Sequence, residues 1–272
     1  MNEKATRLKK ESLIHDLKNM DSLLVAFSGG VDSTFLLAVA YETLGKRVVA
    51  ATADSVTYPP GEKEEATRFT KERGIEHIVF PSDETTIPEF VANAPDRCYH
   101  CKKSLCRKLQ EIAEQKGIEH VAHAANTDDL NDYRPGSAAA EEIGLIAPLV
   151  KAQLNKEDIR FLSKEMGLPT WDKPAMACLA SRIPYGDAIT EQRLKMIEKA
   201  EMFLERKGFK QYRVRHHGTV ARIEVDGKDI ERIADAASRE SIVEKFRQIG
   251  FDHIAVDLEG YVSGSMNRAL GK

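Results

Sequence analysis

Four cysteines and one glycine-rich turn carry most of the chemical information in this chain. Cys98, Cys101 and Cys106 fall within DRCYHCKKSLC, and the fourth, Cys178, lies far downstream in AMACLASRIPYG. A C-x2-C pair at the start of a helix pattern favours thiolates, because the helix N-terminus stabilises negative charge. Four fates are open to Cys98, Cys101 and Cys178: inert buried thiols, a structural zinc site short of a fourth ligand, a redox pair, or an iron–sulfur cluster. Three thiolates suit such a cluster and leave one iron open, and an open iron can carry a hydrosulfide. Cys106, five residues past Cys101, turns to another helix face and reads as a small apolar filler.

The second signal is AFSGGVDS, residues 26–33, where an apolar run meets a helix pattern. Gly29 and Gly30 permit a tight turn and close approach of a ligand to the backbone. The helix after Val31 directs its free N–H groups and positive dipole end at the loop, which makes an anion site. Ser28 and Ser33 add hydroxyl donors. Asp32 alone would repel phosphate, but with phosphate oxygens it suits Mg²⁺. No lysine stands where the GxxxxGK[ST] loop would have one.

The elements that must position these residues alternate. Strand-like LLVA, RVVAATADS, EHIVF and HVAHA are separated by helix patterns, two of them closed by Gly45 and Gly74. This order predicts an α/β fold with a doubly wound, mostly parallel sheet over residues 1–170. Ligands of such sheets lie beyond the carboxyl ends of the strands, here Ser28–Gly30, Thr52–Ser55 with Asp54, and Asn126–Asp129. Asp128, Asp129, Asp132 and Arg134 fall at that rim. An amphipathic first helix is expected to bury Leu8, Leu13, Ile14 and Leu17. Residues 171–187, rich in proline and containing Cys178, read as a functional loop between domains. Residues 188–272 change to helix–strand–strand–helix–strand, a smaller α+β domain. In YRVRHH, Arg213 and Arg215 alternate, so both face one side of a strand and can fork onto a phosphate. Ser181 and Arg182, just past Cys178, can orient a substrate carboxylate.

Composition narrows the classes. The 272 residues are 42% hydrophobic and 31% charged, with net charge −3, which does not suit a protein whose main task is gripping nucleic acid. No apolar run is long enough to span a bilayer, and no apolar signal segment opens the chain, so the expectation is a cytoplasmic protein without membrane partners. Structural disulfides are uncommon there.

With SGGVDS, the motifs NTDDLNDYRPG (126–136), CLASRIPYG (178–186), YRVRHH and ARIEV resemble the sulfur transferases that build the nickel-pincer nucleotide cofactor of lactate racemase. These are members of the ATP-pyrophosphatase (PP-loop) superfamily, and the likeness runs over essentially the whole chain. The SGGxDS loop marks only the superfamily, whereas the DYRPG and C-x-x-SRxPYG pair is narrower. The resemblance implies that ATP and Mg²⁺ adenylate a carboxylate of pyridinium-3,5-dicarboxylate mononucleotide, pyrophosphate leaves, and sulfur replaces an oxygen. In one branch the sulfur is torn from a cysteine at the position of Cys178. That branch lacks the C-x2-C pair, so this chain resembles the other, in which Cys98, Cys101 and Cys178 hold a [4Fe-4S] cluster. The resemblance also implies a substrate-phosphate clamp at Arg213 and Arg215, acidic active-site positions at Glu201 and Glu224 as metal ligands, a homo-oligomer, and sulfide or a cysteine desulfurase as sulfur source. Rival readings are a tRNA thiolase, an amidating ligase, and a non-catalytic nucleotide- or zinc-binding regulator.

Overall fold

The computed structural model describes residues 2–59, 61–131, 135–174, 177–262 and 264–270. In chain order its main elements are α1 (Glu3–Lys18), β1 (Leu23–Ala26), α2 (Val31–Leu44), β2 (Val48–Asp54), α3 (Glu62–Arg73), β3 (Glu76–Pro81), α4 (Pro88–Val91), α5 (Arg97–Lys116), β4 (His120–Ala122), α6 (Pro135–Glu142), α7 (Pro148–Lys151), α8 (Lys156–Glu165), α9 (Glu191–Arg206), β5 (Tyr212–His217), β6 (Val220–Val225), α10 (Ile230–Ala234), α11 (Ala236–Ile249) and β7 (His253–Val256). The chain divides into two compact units. The first comprises Met1–Ser55, Gly61–Glu84 and Cys98–Met176; the second Val56–Pro60, Thr85–Arg97 and Ala177–Lys272.

The first unit is built on a parallel sheet of order β3-β2-β1-β4, the α/β fold the sequence predicts. β1 and β2 are buried almost throughout, as strands covered on both faces must be, and they read as continuous apolar runs for that reason. α2 is buried nearly all round, which matches its lack of a polar face. Strand order reverses between β1 and β4, so their carboxyl ends open a crevice of the kind that takes ligands in such sheets. Local chemistry sets the helix ends. Gly45 and Gly74 receive the chain at positive φ behind α2 and α3. Asn155 and Asp158 form a reciprocal capping box at the start of α8. On α1 the core takes Leu13 and Leu17, with Ile14 packed against it. Leu8, expected on that face, is 55% exposed.

The second unit holds a three-stranded sheet of order β5-β6-β7, antiparallel then parallel. Its core joins α9, α10 and α11 to the sheet through Leu204, Phe209, Val214, Ile223, Ile242 and Phe246. After β7 the chain returns along β6, where Tyr261 N–H donates to the Val225 carbonyl at 2.8 Å. Gly260 makes that approach possible. Its φ is +73°, and a Cβ there would lie 2.8 Å from the same carbonyl oxygen.

Candidate functional site

The Ser28–Ser33 loop sits between the end of β1 and the first turn of α2. Phe27 N–H donates to Ala51 O at 2.8 Å, which holds the loop entrance against β2. Gly29 has φ +72° and backs onto Ala66 Cβ and the Glu62 carbonyl, each 3.4 Å from where its Cβ would be. The Ser28 and Ser33 hydroxyls lie 3.0 Å apart, and Ser33 Oγ donates to Gly30 O at 3.2 Å. Gly30, the N-cap of α2, supplies no side-chain acceptor, so the dipole end of the helix faces the loop without a cap. This geometry suits an anion held by backbone N–H groups and two hydroxyls.

The carboxyl end of β4 supports the loop from the other side. Asn126 is buried; its Nδ2 donates to Asp32 Oδ1 at 3.4 Å, and its backbone N–H donates to Asp129 Oδ2 at 3.0 Å. Asp32, Asn126 and Asp129 therefore form one connected group. Lys156, on the first turn of α8, places its ammonium on Asp32 Oδ2, while its backbone N–H donates to Asp128 Oδ2 at 2.9 Å. A cation at a helix N-terminus opposes the helix dipole, and Asp32 offsets that conflict. Lys173 Nζ reaches Gly29 O at 3.3 Å, Glu62 at 2.9 Å and Glu65 at 2.7 Å. Lys156 and Lys173 thus supply cations that the loop sequence lacks. Asp54, at the end of β2, pairs with Lys63 at 2.9 Å and is half exposed. Arg134 and Asp132 lie outside the described residues.

α5 begins at Arg97 rather than near Lys102, so Cys98 and Cys101 stand inside its opening turns, three residues apart on one helix face. Cys98 is exposed, Cys101 and Cys178 are intermediate, and none of the four cysteines is in a disulfide. Cys106 is fully buried and burial pushes its thiol up, as expected for a core filler. The C-x2-C end of α5 is tied down by Lys103 Nζ, which bridges Tyr99 Oη at 2.9 Å and Glu142 at 2.6 Å. The donor chemistry of Cys98 and Cys101 suits an iron–sulfur cluster. Among the described residues, however, no three His, Cys, Asp or Glu side chains gather into a metal-holding group.

The second unit places Cys178 at the head of the turn Leu179–Arg182. Arg182 is fully buried. Its Nη1 donates to Ala177 O at 2.7 Å, Cys178 O at 3.1 Å and Ser181 Oγ at 3.0 Å, while Nε and Nη2 each meet a Glu201 oxygen at 2.9 Å. Four of the five N–H donors of the guanidinium are thereby engaged, Nη1 sharing its two among three acceptors. Through these bonds Arg182 shapes the turn that carries Cys178. Ser181 gives its carbonyl to Arg215 Nη1 at 3.0 Å.

Glu201 and Glu224 each meet arginine side chains. Glu201 pairs with Arg182 and accepts from Val214 N–H at 2.9 Å. Glu224 pairs with Arg215 through bonds of 2.9 and 2.7 Å and with Arg222 at 3.1 Å. Both carboxylates are buried and paired with arginine. Arg213 and Arg215 do share a face of β5, opposite Glu224 and Arg222 in the register, and both are buried. Burial, and then the Arg182 charge, pull the Arg213 guanidinium below its ordinary basicity. The Arg213 side chain lies over the Tyr261 ring, 5.1 Å from its centroid.

No protein-family model matches the chain. An uncharacterised protein of Synechocystis is 42% identical over 97% of this chain and 98% of its own length. The pyridinium-3,5-bisthiocarboxylic acid mononucleotide synthase of Lactiplantibacillus plantarum is 35% identical over 97% of this chain and 95% of its own. The chain belongs to that synthase family. GMP synthase of Aeropyrum pernix is a more distant relative, 24% identical over 66% of this chain and 39% of its own length. With that likeness and the Ser28–Ser33 loop, the chain falls in the PP-loop superfamily and is an ATP-dependent enzyme. Among the described residues no helix is long and apolar enough to cross a membrane.

Sequence reasoning named Asn126 as part of a strand end facing the ligand, and missed Lys156 and Lys173. Only Lys156 left a local sign, a cation at the start of a capped helix, where the dipole disfavours it.

Proposed function

We propose that the protein makes a thiocarboxylate from pyridinium-3,5-dicarboxylate mononucleotide. A substrate carboxylate oxygen attacks the α-phosphorus of ATP and pyrophosphate leaves. A sulfur nucleophile then adds to the carbonyl carbon of the acyl adenylate and AMP departs. The observation that carries this reading is family membership over nearly the full chain, joined to a nucleotide loop with intact Ser28, Gly29, Gly30, Asp32 and Ser33. In this reading Asp32 takes Mg²⁺ with the phosphates, Asp54 and Asp129 line the nucleotide rim, and Arg213 and Arg215 take the substrate phosphate. Cys98, Cys101 and Cys178 would hold the [4Fe-4S] cluster. When bound, such a cluster would supply the sulfur nucleophile while leaving the cysteines intact for repeated turnover. The sulfur comes from free sulfide or a cysteine desulfurase, and the working form is a homo-oligomer.

A second reading uses Cys178, partly exposed at the head of the Leu179–Arg182 turn, as the sulfur donor itself. There the Cys178 thiolate attacks the adenylate to form a thioester. Loss of its α-proton then breaks the Cβ–Sγ bond, leaving dehydroalanine on the protein and a thiocarboxylate on the product. One experiment separates the two. Protein purified without oxygen is assayed for iron, acid-labile sulfide and substrate-dependent ATP–pyrophosphate exchange, and its mass is recorded after turnover. The cluster reading requires iron that is lost on changing Cys98, Cys101 or Cys178 and kept in Cys106→Ala. Loss of one hydrogen sulfide from Cys178 after a single turnover selects the second. Exchange that ignores the dicarboxylate substrate defeats both.

A further inference from the structure

The peptide between Gly29 and Gly30 is the least constrained bond plane of the nucleotide loop, because neither residue has a Cβ to restrict rotation. In a trans peptide the carbonyl oxygen and the following N–H point in opposite directions. Turned one way, this unit offers the Gly30 N–H to an anion; turned the other, it offers a carbonyl oxygen that repels one. Within the loop the Gly30 N–H reaches the Ser28 hydroxyl only at 3.4 Å, so a firmer hold on this peptide comes from a contact to its carbonyl oxygen.

Lys173 makes that contact in the first unit. Its ammonium has three donors and meets three acceptors: Gly29 O at 3.3 Å, Glu62 Oε1 at 2.9 Å and Glu65 Oε2 at 2.7 Å. The two carboxylates belong to the opening of α3, against which Gly29 packs. Lys173 therefore ties the loop carbonyl to α3 and neutralises acidic groups that would oppose a polyphosphate nearby. The backbone of Lys173 is held in turn. Arg160 on α8 donates from Nη1 to Trp171 O and from Nη2 to Lys173 O, both at 2.7 Å. Lys164, one turn further along α8, lies over the Trp171 ring at 4.7 Å.

We infer that Lys173 is a positioning residue of the nucleotide site, fixing the Gly29–Gly30 peptide with its N–H available to phosphate, and that Arg160 seats Lys173 for this task. The inference rests on the ATP reading of the loop and extends it to residues 144 and 131 positions from Gly29 in sequence. α8 then governs both flanks of the loop, through Lys156 on Asp32 and through Arg160, Lys173 and Gly29.

The test measures binding of ATP, pyrophosphate and adenosine to the full chain by calorimetry in wild type, Lys173→Met, Lys173→Arg and Arg160→Gln. Lys173→Met should weaken ATP and pyrophosphate about tenfold, ~1.4 kcal/mol, and leave adenosine unchanged. Lys173→Arg should recover most of the loss, and Arg160→Gln should shift the same two ligands in the same direction. Equal weakening of adenosine would reduce Lys173 to a general structural role and overturn the inference, as would unchanged pyrophosphate binding in Lys173→Met. If Lys173→Met does not fold, Arg160→Gln decides alone on the same criteria. Wild-type protein that binds neither ATP nor pyrophosphate would sink the ATP reading itself, a separate failure.

Discussion

Replacing Glu201 by glutamine should destabilise the unit that contains Cys178 by several kcal/mol. The change keeps the side chain's shape and removes the charge facing Arg182. Both side chains are almost wholly shielded from water, at 0% and 3% exposure. Two of Arg182's five hydrogen bonds end on this carboxylate, and Val214 N–H supplies a third contact to it. Removing one partner of such a pair leaves an uncompensated buried charge and costs about 3–5 kcal/mol. Glutamine keeps one acceptor oxygen, so the expected loss is ~3 kcal/mol. At about 2–4 °C per kcal/mol for a protein of this size, Tm should fall by roughly 6–12 °C. Scanning calorimetry in the presence of a chelator gives the number. The double variant Arg182→Met with Glu201→Leu should recover most of the loss, because replacing a whole buried pair with apolar groups is often neutral. A Glu201→Gln protein that melts at or above wild type in chelator would refute the reasoning. It would mean that the carboxylate is an open metal ligand strained in the metal-free protein.

Two pH-linked expectations follow from buried groups in the first unit. Burial, with the nearby Lys102 charge, pulls His123 down to about 4, against about 6.5 when unfolded. The unfolded chain therefore binds the extra proton first, and stability should be complete above pH 6.5 and decline as pH falls towards 4; urea melts of His123→Gln should show a flatter profile across that window. For Asp158, burial acts to raise the carboxyl, but Lys9, the Thr6 hydroxyl and the Asn155 N–H together hold it below its usual value. Its stabilising share is present above the unfolded carboxylate pKa and lost as pH drops through the lower folded one, so Asp158→Asn should cost ~2 kcal/mol at pH 7 and should match wild type in strong acid.

The fold was legible where pattern and punctuation agreed. The apolar runs at 23–26 and 48–54 form buried strands, and the glycines at 45 and 74 end helices. α5 starts five residues early because the sequence pattern gives no N-cap there; Gly136, close against Cys98 O and Lys102, marks where α6 meets its first turns. The nucleotide loop was legible because its chemistry is local to six residues. The lysines beside it were not, since Lys156 and Asp32 lie 124 positions apart and Lys173 and Gly29 lie 144 apart. The pairs Arg182–Glu201 and Arg215–Glu224 join residues 19 and 9 positions apart, which no local pattern encodes. A charged residue is normally solvated unless paired, and only the folded chain reveals the pairing.

The chain's passage beside β6 leaves room for a hydrogen atom at position 260 and nothing larger. Tyr261 follows immediately, and its ring covers Arg213. Any side chain at 260 would lift the tail, admit water to that guanidinium, and restore the basicity that its dry surroundings suppress. A substitution at position 260 would thus reach the surroundings of Arg213 through the backbone that carries Tyr261.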